Sequence, residues 1–466
     1  MTLPLGGCLL SSDKPEPALD IPQFYSAGPK NPKAAEAALP PLDWWRSFRS
    51  RELTEIIAEA REANLDIAAA IARIVQADAN ARIAGAPLLP SVDLNGGATR
   101  SRASQNTSGS GTSSVGERDN LSASLTASYE IDFWGKNRAA MRAAEETAVA
   151  TRFNSEVVGL TTVVSTANSY FQILAAQDRL RTARNNLAAA QRVLHLIEQR
   201  VNAGTASALD TSQQESVVAT LRASIPPLEQ TLALNRNTLA VLMARSPEHV
   251  QIRGGSLNSV AVPRVTPGLP SELLTQRPDI REAEAKLAAA NANVYNARAQ
   301  MLPSITLTGE GGYQSAVLKT LLRPESMFYT AAAGLTQPIF EGGRLLGNLD
   351  VQKGRQDELL QNYRKAVISG FADVETALTG IRNAALRERL QRDVVTSSRR
   401  AFDISEQRLR EGTIDLVTVL QTQQSLFTAD DAAVQARLSH MQAIVSLYQA
   451  LGGGWLPKPV EAMNAR

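Results

Sequence analysis

Thiol and imidazole side chains are scarce in this sequence of 466 residues, which contains one cysteine and three histidines. A single thiol excludes an internal disulfide framework and a zinc site built from several thiolates. The histidines, His195, His249 and His440, lie far apart, and none has His, Asp or Glu four residues away, as a zinc-protease helix requires. We therefore expect no metal site, no cofactor and no metal-dependent catalysis.

An excess of one charge and long apolar runs are absent as well. Lys and Arg number 48 and Asp and Glu 46, and the net charge of +2 gives no sign of nucleic acid as a partner, because phosphate binding needs clustered positive charge. The longest uncharged stretch, residues 157–177, is long enough to cross a bilayer. It contains many polar side chains, among them Thr161, Asn168 and Gln172, and so predicts a helix packed against other helices. Strands that cross a membrane give a weaker signal, so a membrane location stays open.

The one cysteine, Cys8, ends the segment Leu5-Gly6-Gly7-Cys8, which resembles a bacterial lipobox. In a lipobox the cysteine is acylated, so we expect lipid attachment at Cys8, with an unmodified terminal thiol as the alternative. A full secretion signal also has a basic region and an apolar region of about 7–15 residues. Neither precedes Leu5, so the sequence leaves open whether the native start lies upstream with a full signal. A Pro-rich, extended segment follows at residues 11–41.

An internal duplication organises the rest of the chain. Residues 66–96 match residues 279–309 without a gap, and nearly half of the positions are identical. Residues 199–205 match 407–413, and residues 133–135 match 340–342 more loosely, in the same order. Two tandem halves follow from this order. The predicted organisation is an N-terminal segment (1–50), a first repeat (51–250), a linker (251–269), a second repeat (270–452) and a tail (453–466).

Each half has the same predicted parts. A helix (about 51–86 and 270–300) ends before Pro90 or Pro303, and a β-hairpin follows (91–133 and 304–340). In residues 121–133 apolar side chains strictly alternate with Ser, Thr, Glu and Asp, which predicts a half-buried strand. Residues 99–120 are rich in Ser, Gly, Asn and Thr, and they predict a solvated, flexible loop.

Long helical hairpins complete both halves, at residues 136–244 and 343–452. The first long helix covers about residues 136–202, on the order of 100 Å. It turns near Gly204 and returns over residues 207–244, with an interruption expected at Pro226-Pro227. The second long helix covers about 344–410, turns near Gly412 and returns over residues 416–451.

The strands predict a membrane protein. A transmembrane barrel strand needs about 9–11 residues, which these strands supply. Four strands cannot close a barrel, and an open sheet edge is not viable in lipid. Three chains would supply twelve strands. We therefore predict a mixed α and β membrane protein, in which four strands per chain contribute to a twelve-stranded trimeric transmembrane β-barrel and the long coiled-coil helical hairpins project away from the membrane.

Five segments carry a resemblance to a known family: DWWRSF (43–48), YEIDFWG (129–135), QRPDI (276–280), QPIFEGGR (337–344) and ALGGGW (450–455). With these segments the chain resembles the TolC-like outer-membrane efflux channels, in the NodT-type lipoprotein branch. The resemblance implies a homotrimeric channel of a tripartite efflux pump, lipid-anchored in the bacterial outer membrane and extending into the periplasm. It also implies two partners, a periplasmic adaptor protein and an inner-membrane transporter, and small molecules as cargo.

Three alternatives remain at this stage. A protein secretion channel would share the architecture, and only its partner pump would distinguish it. A coiled-coil scaffold would explain the apolar residues spaced three and four apart in the first long helix, from Leu180 to Val201, but neither the alternating strands nor the lipobox. An enzyme has little support. The three glycines at residues 452–454 resemble a phosphate loop, but they lack its Lys-Ser/Thr and are expected to end a helix.

The barrel assignment follows from the alternation. Apolar residues of the first hairpin are expected to face lipid: Leu121, Leu125, Tyr129, Ile131 and Phe133. The intervening residues Ser122, Ser124, Thr126 and Glu130 are expected to face the lumen. Phe133, Trp134 and Phe340 end their strands, so we expect them near the periplasmic interface.

The duplicated turns are the expected adaptor-docking tips, with Arg200, Gly204 and Thr205 in the first half and Arg408, Gly412 and Thr413 in the second. Glycine permits the left-handed backbone at a helix end, and the threonines are expected to cap the returning helices. The alternative is that Gly-Thr only makes a good turn. In the resembling family these tips meet the adaptor, and acidic rings line the periplasmic aperture. We therefore expect Asp415, directly after the second turn, to act at that aperture.

Overall fold

The structure, a computed structural model, describes residues 19, 21–22, 25–28, 41–102, 117–265, 268 and 270–454. Two compact units are present, and each takes chain from both halves. The sheet unit contains Arg73–Thr151 and Glu282–Tyr363, and the helical unit contains Leu19–Ala72, Arg152–Arg281 and Arg364–Arg466. Cys8 lies outside the described residues.

Twelve helices and strands carry the fold. In chain order they are α1 (Arg51–Ala63), α2 (Leu65–Gly85), β1 (Ser91–Arg102), β2 (Glu117–Ile131), α3 (Lys136–Asn202), α4 (Ala208–Leu242), α5 (Pro270–Gln276), α6 (Pro278–Ala299), β3 (Ser304–Ser315), β4 (Met327–Thr336), α7 (Arg344–Arg410) and α8 (Leu416–Ala450). Within the described ranges, no helix combines the length and the apolar character that a bilayer crossing needs.

The first helix of each half is broken, contrary to the prediction of one continuous helix. Asn64 separates α1 from α2, because its side-chain oxygen accepts the N–H groups of Asp66 and Ile67 at 2.9 and 3.1 Å. Its amide also donates to the carbonyl of Leu242. In the second half the break falls at Arg277, since a residue before proline is pushed out of the helical region. Neither break was expected from the Ala-rich pattern.

The long helices are confirmed, with 67 residues in both α3 and α7 and 35 in both α4 and α8. The interruption expected at Pro226-Pro227 was wrong, because α4 runs through both prolines. Both lie on exposed surface, so the carbonyls that lose their N–H partners can meet water. The hydroxyls of Ser224 and Thr231 donate to further carbonyls of this stretch.

The four strands form one antiparallel sheet in the order β1-β2-β3-β4. The loop expected at residues 99–120 is shorter than predicted, because β1 extends to Arg102 and β2 begins at Glu117. A cross-strand ion pair between Arg100 and Glu117 stabilises this extension. The carboxylate of Asp119 also lies 3.7 Å from Nε of Arg100.

The strand ends that lead into α3 and α7 were predicted to extend further than they do. β2 ends at Ile131 and β4 at Thr336, so Phe133 and Phe340 lie beyond their strands. Asp132 turns the chain instead, since its carboxylate accepts the N–H groups of Asn137 and Arg138, both at 2.9 Å, at the start of α3. Phe133 is therefore not a barrel-strand position, and it packs edge-on against Trp134 with ring centroids 4.7 Å apart.

The register gives the sheet one apolar and one polar face. Residues directly opposite each other in a ladder share a face, and Leu125 is paired with Leu94 and Gly311, which is paired with Tyr329. Every second residue therefore falls on the same apolar face: Val92, Leu94, Leu121, Ala123, Leu125, Ala127, Tyr129, Ile131, Ile305, Leu307, Tyr313, Met327, Tyr329, Ala331, Ala333 and Leu335. Leu94, Leu125 and Tyr329 are exposed in the single chain.

The core of the helical unit is aromatic where the segment 43–48 packs. Trp44 stacks on Tyr448 with ring centroids 4.6 Å apart, and Phe48 contacts Phe171 at 5.0 Å. These ring contacts hold the segment 43–48 against α3 and α8. The segment that carried part of the family resemblance is therefore a packing anchor.

Candidate functional site

The two hairpin tips have nearly the same backbone. Gly204 and Gly412 have φ values of 71° and 72°, in the left-handed region. At the first tip Gly204 N–H bonds the carbonyl of Val201 at 2.9 Å, and Thr205 N–H bonds that of Arg200 at 2.8 Å. The second tip repeats both bonds, from Gly412 to Leu409 and from Thr413 to Arg408. This pair of bonds is the Schellman arrangement, which satisfies the last carbonyls of a helix.

The threonines do not cap the returning helices, contrary to the prediction. Their hydroxyls donate backwards, from Thr205 to the carbonyl of Arg200 at 3.0 Å and from Thr413 to that of Arg408 at 3.2 Å. Each hydroxyl adds a second hydrogen bond to a carbonyl that already accepts the N–H group of the same threonine, and so reinforces the end of the incoming helix.

The caps of the returning helices are Ser207 and Asp415. Ser207 forms a capping box with Asp210, in which each side chain bonds the other residue's N–H group. The carboxylate of Asp415 accepts from the N–H and hydroxyl of Thr418 at 2.8 and 2.7 Å. The hydrogen bonds from Thr418 lower the pKa of this exposed carboxyl group, which keeps it ionised. The Ser-x-x-Asp signal at 207–210 was available in the sequence and was missed.

The two duplicated arginines have different surroundings. Arg200 donates from Nη1 to the carbonyl of Leu409 at 2.8 Å, so it joins the first tip to the second. Arg408 is exposed, and no ion pair holds its guanidinium within the described part of the chain. Only Arg408 is therefore fully available to a partner.

A buried amide pair lies behind the tips. Gln214 on α4 and Gln423 on α8 are both fully buried, and the amide of Gln214 donates to the carbonyl of Ala190 at 2.9 Å. The two amide groups approach each other at 3.5 Å. Such a polar layer in a coiled coil fixes register rather than adding stability.

The polar face of the sheet carries carboxylates at one level. Asp93 pairs with Thr126, Thr126 with Glu310, and Glu310 with Thr330 across the four strands. Asn95 donates to Thr126 at 3.1 Å. The residues predicted to face the lumen, Ser122, Ser124, Thr126 and Glu130, fall on this face by register.

A buried ionic cluster joins α7 to α8 in the helical unit. Glu388 accepts from Arg437 at 3.0 Å and contacts Nδ1 of His440 at 2.6 Å, and Arg392 pairs with the same carboxylate. Burial acts to raise the pKa of Glu388, but the hydrogen bond with His440 and the two arginine charges prevail and lower it. Arg437 also donates to the carbonyl of Val260 at 2.7 Å. Sequence reasoning did not find this cluster.

Two of the family-like segments meet at another buried cation. Arg277, from the segment 276–280, donates to Asp279 at 2.6 Å, to Asp373 at 3.0 Å and to the carbonyl of Ala450 at 3.2 Å. Gly452 follows α8 with φ of +83°, and a Cβ atom there would lie 2.5 Å from the carbonyl oxygen of Gln276. Glycine is needed at this close approach, and the triplet 452–454 ends a helix as predicted.

The described residues include no group of three or more His, Cys, Asp or Glu side chains placed to hold a metal ion. The features found instead are a sheet with one apolar and one polar face, open edges at β1 and β4, and paired helical hairpins with matching tips. Together these features are typical of a channel with a composite barrel.

Comparison with known proteins agrees with that class. The family model described as outer membrane efflux protein matches residues 56–245 and 269–453. The chain is 43% identical over 418 residues to the pyoverdine export outer membrane protein OpmQ of Pseudomonas aeruginosa, which covers 88% of this chain and 87% of that protein. It is 32% identical over 475 residues to the toluene efflux pump outer membrane protein TtgF of Pseudomonas putida, with coverages of 100% and 98%.

Solved structures show the same fold. The Campylobacter jejuni CmeC outer membrane channel superposes with a TM-score of 0.89 at 24% identity, over 96% of this chain and 95% of that one. The open-state MtrE channel of Neisseria gonorrhoeae gives 0.82 at 26% identity, with coverages of 95% and 97%. The chain belongs to the outer membrane efflux protein family.

The predictions of fold class, function and location are thereby confirmed. The protein is an outer-membrane channel of a tripartite efflux system, and it extends into the periplasm. Its four strands contribute to a twelve-stranded trimeric barrel, and its helices to a coiled-coil barrel. Members of the family are channels and not enzymes.

Proposed function

We propose that this channel exports a water-soluble small metabolite of the pyoverdine class. The observation that carries the proposal is the 43% identity to OpmQ over 88% of the chain, against 30–32% for relatives named for toluene, antibiotic or cation efflux. The polar face of the sheet supports it. Asp93, Asn95, Thr126 and Glu310 would give a passing solute a hydrophilic wall.

The test is complementation of a Pseudomonas aeruginosa strain that lacks OpmQ. We expect this chain, expressed with a full secretion signal, to restore pyoverdine in the medium. A Pseudomonas putida strain that lacks TtgF serves as the control for general efflux. Restored toluene tolerance without restored pyoverdine export would reject the cargo class while keeping the channel.

The two proposed partners of the channel are a periplasmic adaptor and an inner-membrane transporter. The tips formed by Arg200, Gly204, Thr205, Arg408, Gly412 and Thr413 would dock a periplasmic adaptor, which in turn engages an inner-membrane transporter. Because Arg200 is bound to Leu409, we assign the main adaptor contact to Arg408. Arg408→Ala should weaken binding of the adaptor encoded with this chain. Unchanged binding in a pull-down with purified trimer would argue against this contact.

Cys8 is proposed to carry the lipid anchor, on the basis of the lipobox-like segment that it ends. Mass spectrometry of membrane-derived protein should find an acylated cysteine as the first mature residue. Barrel insertion should survive Cys8→Ala because the strands supply the lipid-facing surface. A free thiol at Cys8 would refute the anchor.

Asp415 is proposed to line the periplasmic aperture of the trimer. Its capping role makes Asp415→Ala ambiguous, since that variant removes a cap as well as a charge. Asp415→Ser is the sharper change, because Ser207 caps the matching helix in the first half. We expect it to reduce the cation preference in planar bilayers and to leave the melting temperature unchanged. If both variants conduct and select ions like the wild type, Asp415 is only a cap.

A further inference from the structure

The loop between β3 and β4, residues 316–326, presents apolar side chains to its surroundings. Val317, Leu318 and Leu322 are 57%, 72% and 78% exposed. Loops usually place polar groups outside, so three exposed aliphatic side chains within one short loop are unusual.

The loop is held in this arrangement by its own polar groups. The hydroxyls of Ser315 and Thr320 are 2.7 Å apart, and Ser326 donates to the carbonyl of Thr320 at 2.8 Å. Two short 3-10 turns, Leu318–Thr320 and Pro324–Ser326, complete it. The hydroxyls are therefore used inside the loop, which leaves the aliphatic side chains directed outwards.

Two cations lie among the exposed aliphatic side chains. Lys319 and Arg323 have no ion-pair partner within the described ranges, and the loop's one acid, Glu325, is not paired with either. The surface thus combines aliphatic groups with two free positive charges. This combination suits an amphipathic anionic ligand better than it suits an aqueous or purely apolar neighbour.

The apolar face of the sheet leads directly into this loop. Met327 and Tyr329 begin β4 on that face and are 64% and 81% exposed. The loop joins the strand ends remote from α6 and α7, because Ser304 follows the α6 end and Thr336 precedes α7. In an outer-membrane channel whose helices extend into the periplasm, that end belongs to the outer leaflet.

We propose that the 316–326 loop binds an anionic phosphorylated lipid of the outer leaflet. The acyl chains would contact Val317, Leu318 and Leu322, and Lys319 and Arg323 would bind the phosphates. The proposal rests on the assignment of the apolar sheet face to lipid.

The test uses purified full-length trimer in a nonionic detergent, with lipopolysaccharide as the probe and phosphatidylcholine as the zwitterionic comparison. Native mass spectrometry measures how much lipid each trimer retains. Wild-type trimer should retain more lipopolysaccharide than phosphatidylcholine. We expect Leu318→Ser with Leu322→Ser to weaken retention by about tenfold or more, and Lys319→Gln with Arg323→Gln by about fivefold per charge. Leu209→Ser, which changes a leucine in α4 that is 65% exposed, is the control and should retain lipid like the wild type.

Trimer stability and single-channel conductance are measured on the same variants, so that failure of the lipid site is separated from failure of the channel. Unchanged conductance with reduced lipopolysaccharide supports the proposal. Wild-type retention in both double variants overturns it. A trimer that dissociates in the leucine double variant, with lipid retention normal in the charge variant, also overturns it, because the loop would then contact a second copy of the chain.

Discussion

An arginine at position 125 is expected to destabilise the assembled barrel by about 2–4 kcal/mol, because a charged side chain on the lipid face near the bilayer midplane carries a penalty of that size. Leu125 lies near the middle of β2 on the apolar face, and it is 55% exposed in the single chain. The effect should appear as a lower temperature at which the trimer dissociates in detergent, and as reduced assembly in the outer membrane.

The matched control is Thr126→Arg, one residue away and on the opposite face. Thr126 lies between Asp93 and Glu310 in the ladder, so an arginine there meets two carboxylates. We expect that variant to assemble like the wild type. Equal losses at positions 125 and 126 would mean that the sheet has no lipid face, and a larger loss at 126 would reverse the assignment of the two faces.

Removing the charge of Glu388 should destabilise the helical unit by about 3 kcal/mol, since the loss of this partner leaves the charge of the buried Arg437 uncompensated. In the wild type, Arg437 donates to the carboxylate of Glu388 at 3.0 Å. In Glu388→Gln, the Arg437 side chain stays buried but has lost this negatively charged partner. The measurement is the apparent melting temperature of the helical signal by circular dichroism. Glu55→Gln, which breaks an ion pair whose side chains are 93% and 63% exposed, is the control and should change stability by less than about 1 kcal/mol.

The same cluster has a predicted pH dependence. The pKa of Glu388 is lowered below its ordinary value of 4.5 in the folded protein, so its contribution is complete above that pH. The contribution is lost as the pH falls through the folded pKa. The melting temperatures of wild type and Glu388→Gln should therefore differ at neutral pH and converge in acid, once the pH lies below the lowered pKa of Glu388. A constant difference down to acid pH would show that packing, and not charge, distinguishes the two proteins.

The parts of the fold that the sequence predicts best are those set by local chemistry. The absence of proline over residues 136–202 predicts one long helix, and the strict alternation of apolar and polar residues over 121–131 predicts a strand. The glycines of the tips were also readable, because a left-handed helix end favours glycine.

Other features depend on contacts between distant parts of the chain. The bond from Arg200 to Leu409 and the contact of Glu388 with His440 join residues far apart in sequence, and neither has a local pattern. At Asp132 two local signals compete, the alternation that favours a longer strand and the carboxylate that favours a helix start. The carboxylate captures the first N–H groups of α3, and the strand ends before Phe133 although the alternation continues.

The open edges of the sheet have a genetic consequence. β1 and β4 are the outer strands of the order β1-β2-β3-β4, so each chain must find its hydrogen-bonding partners on two neighbours. A defective chain that still pairs at one edge can therefore enter a trimer and prevent its barrel from closing. In a cell that makes sound and defective chains equally, about one trimer in eight would contain only sound chains. Alleles with a proline in β4 should consequently be dominant, and a heterozygous merodiploid with export near half of normal would show that defective chains are excluded before the ring closes.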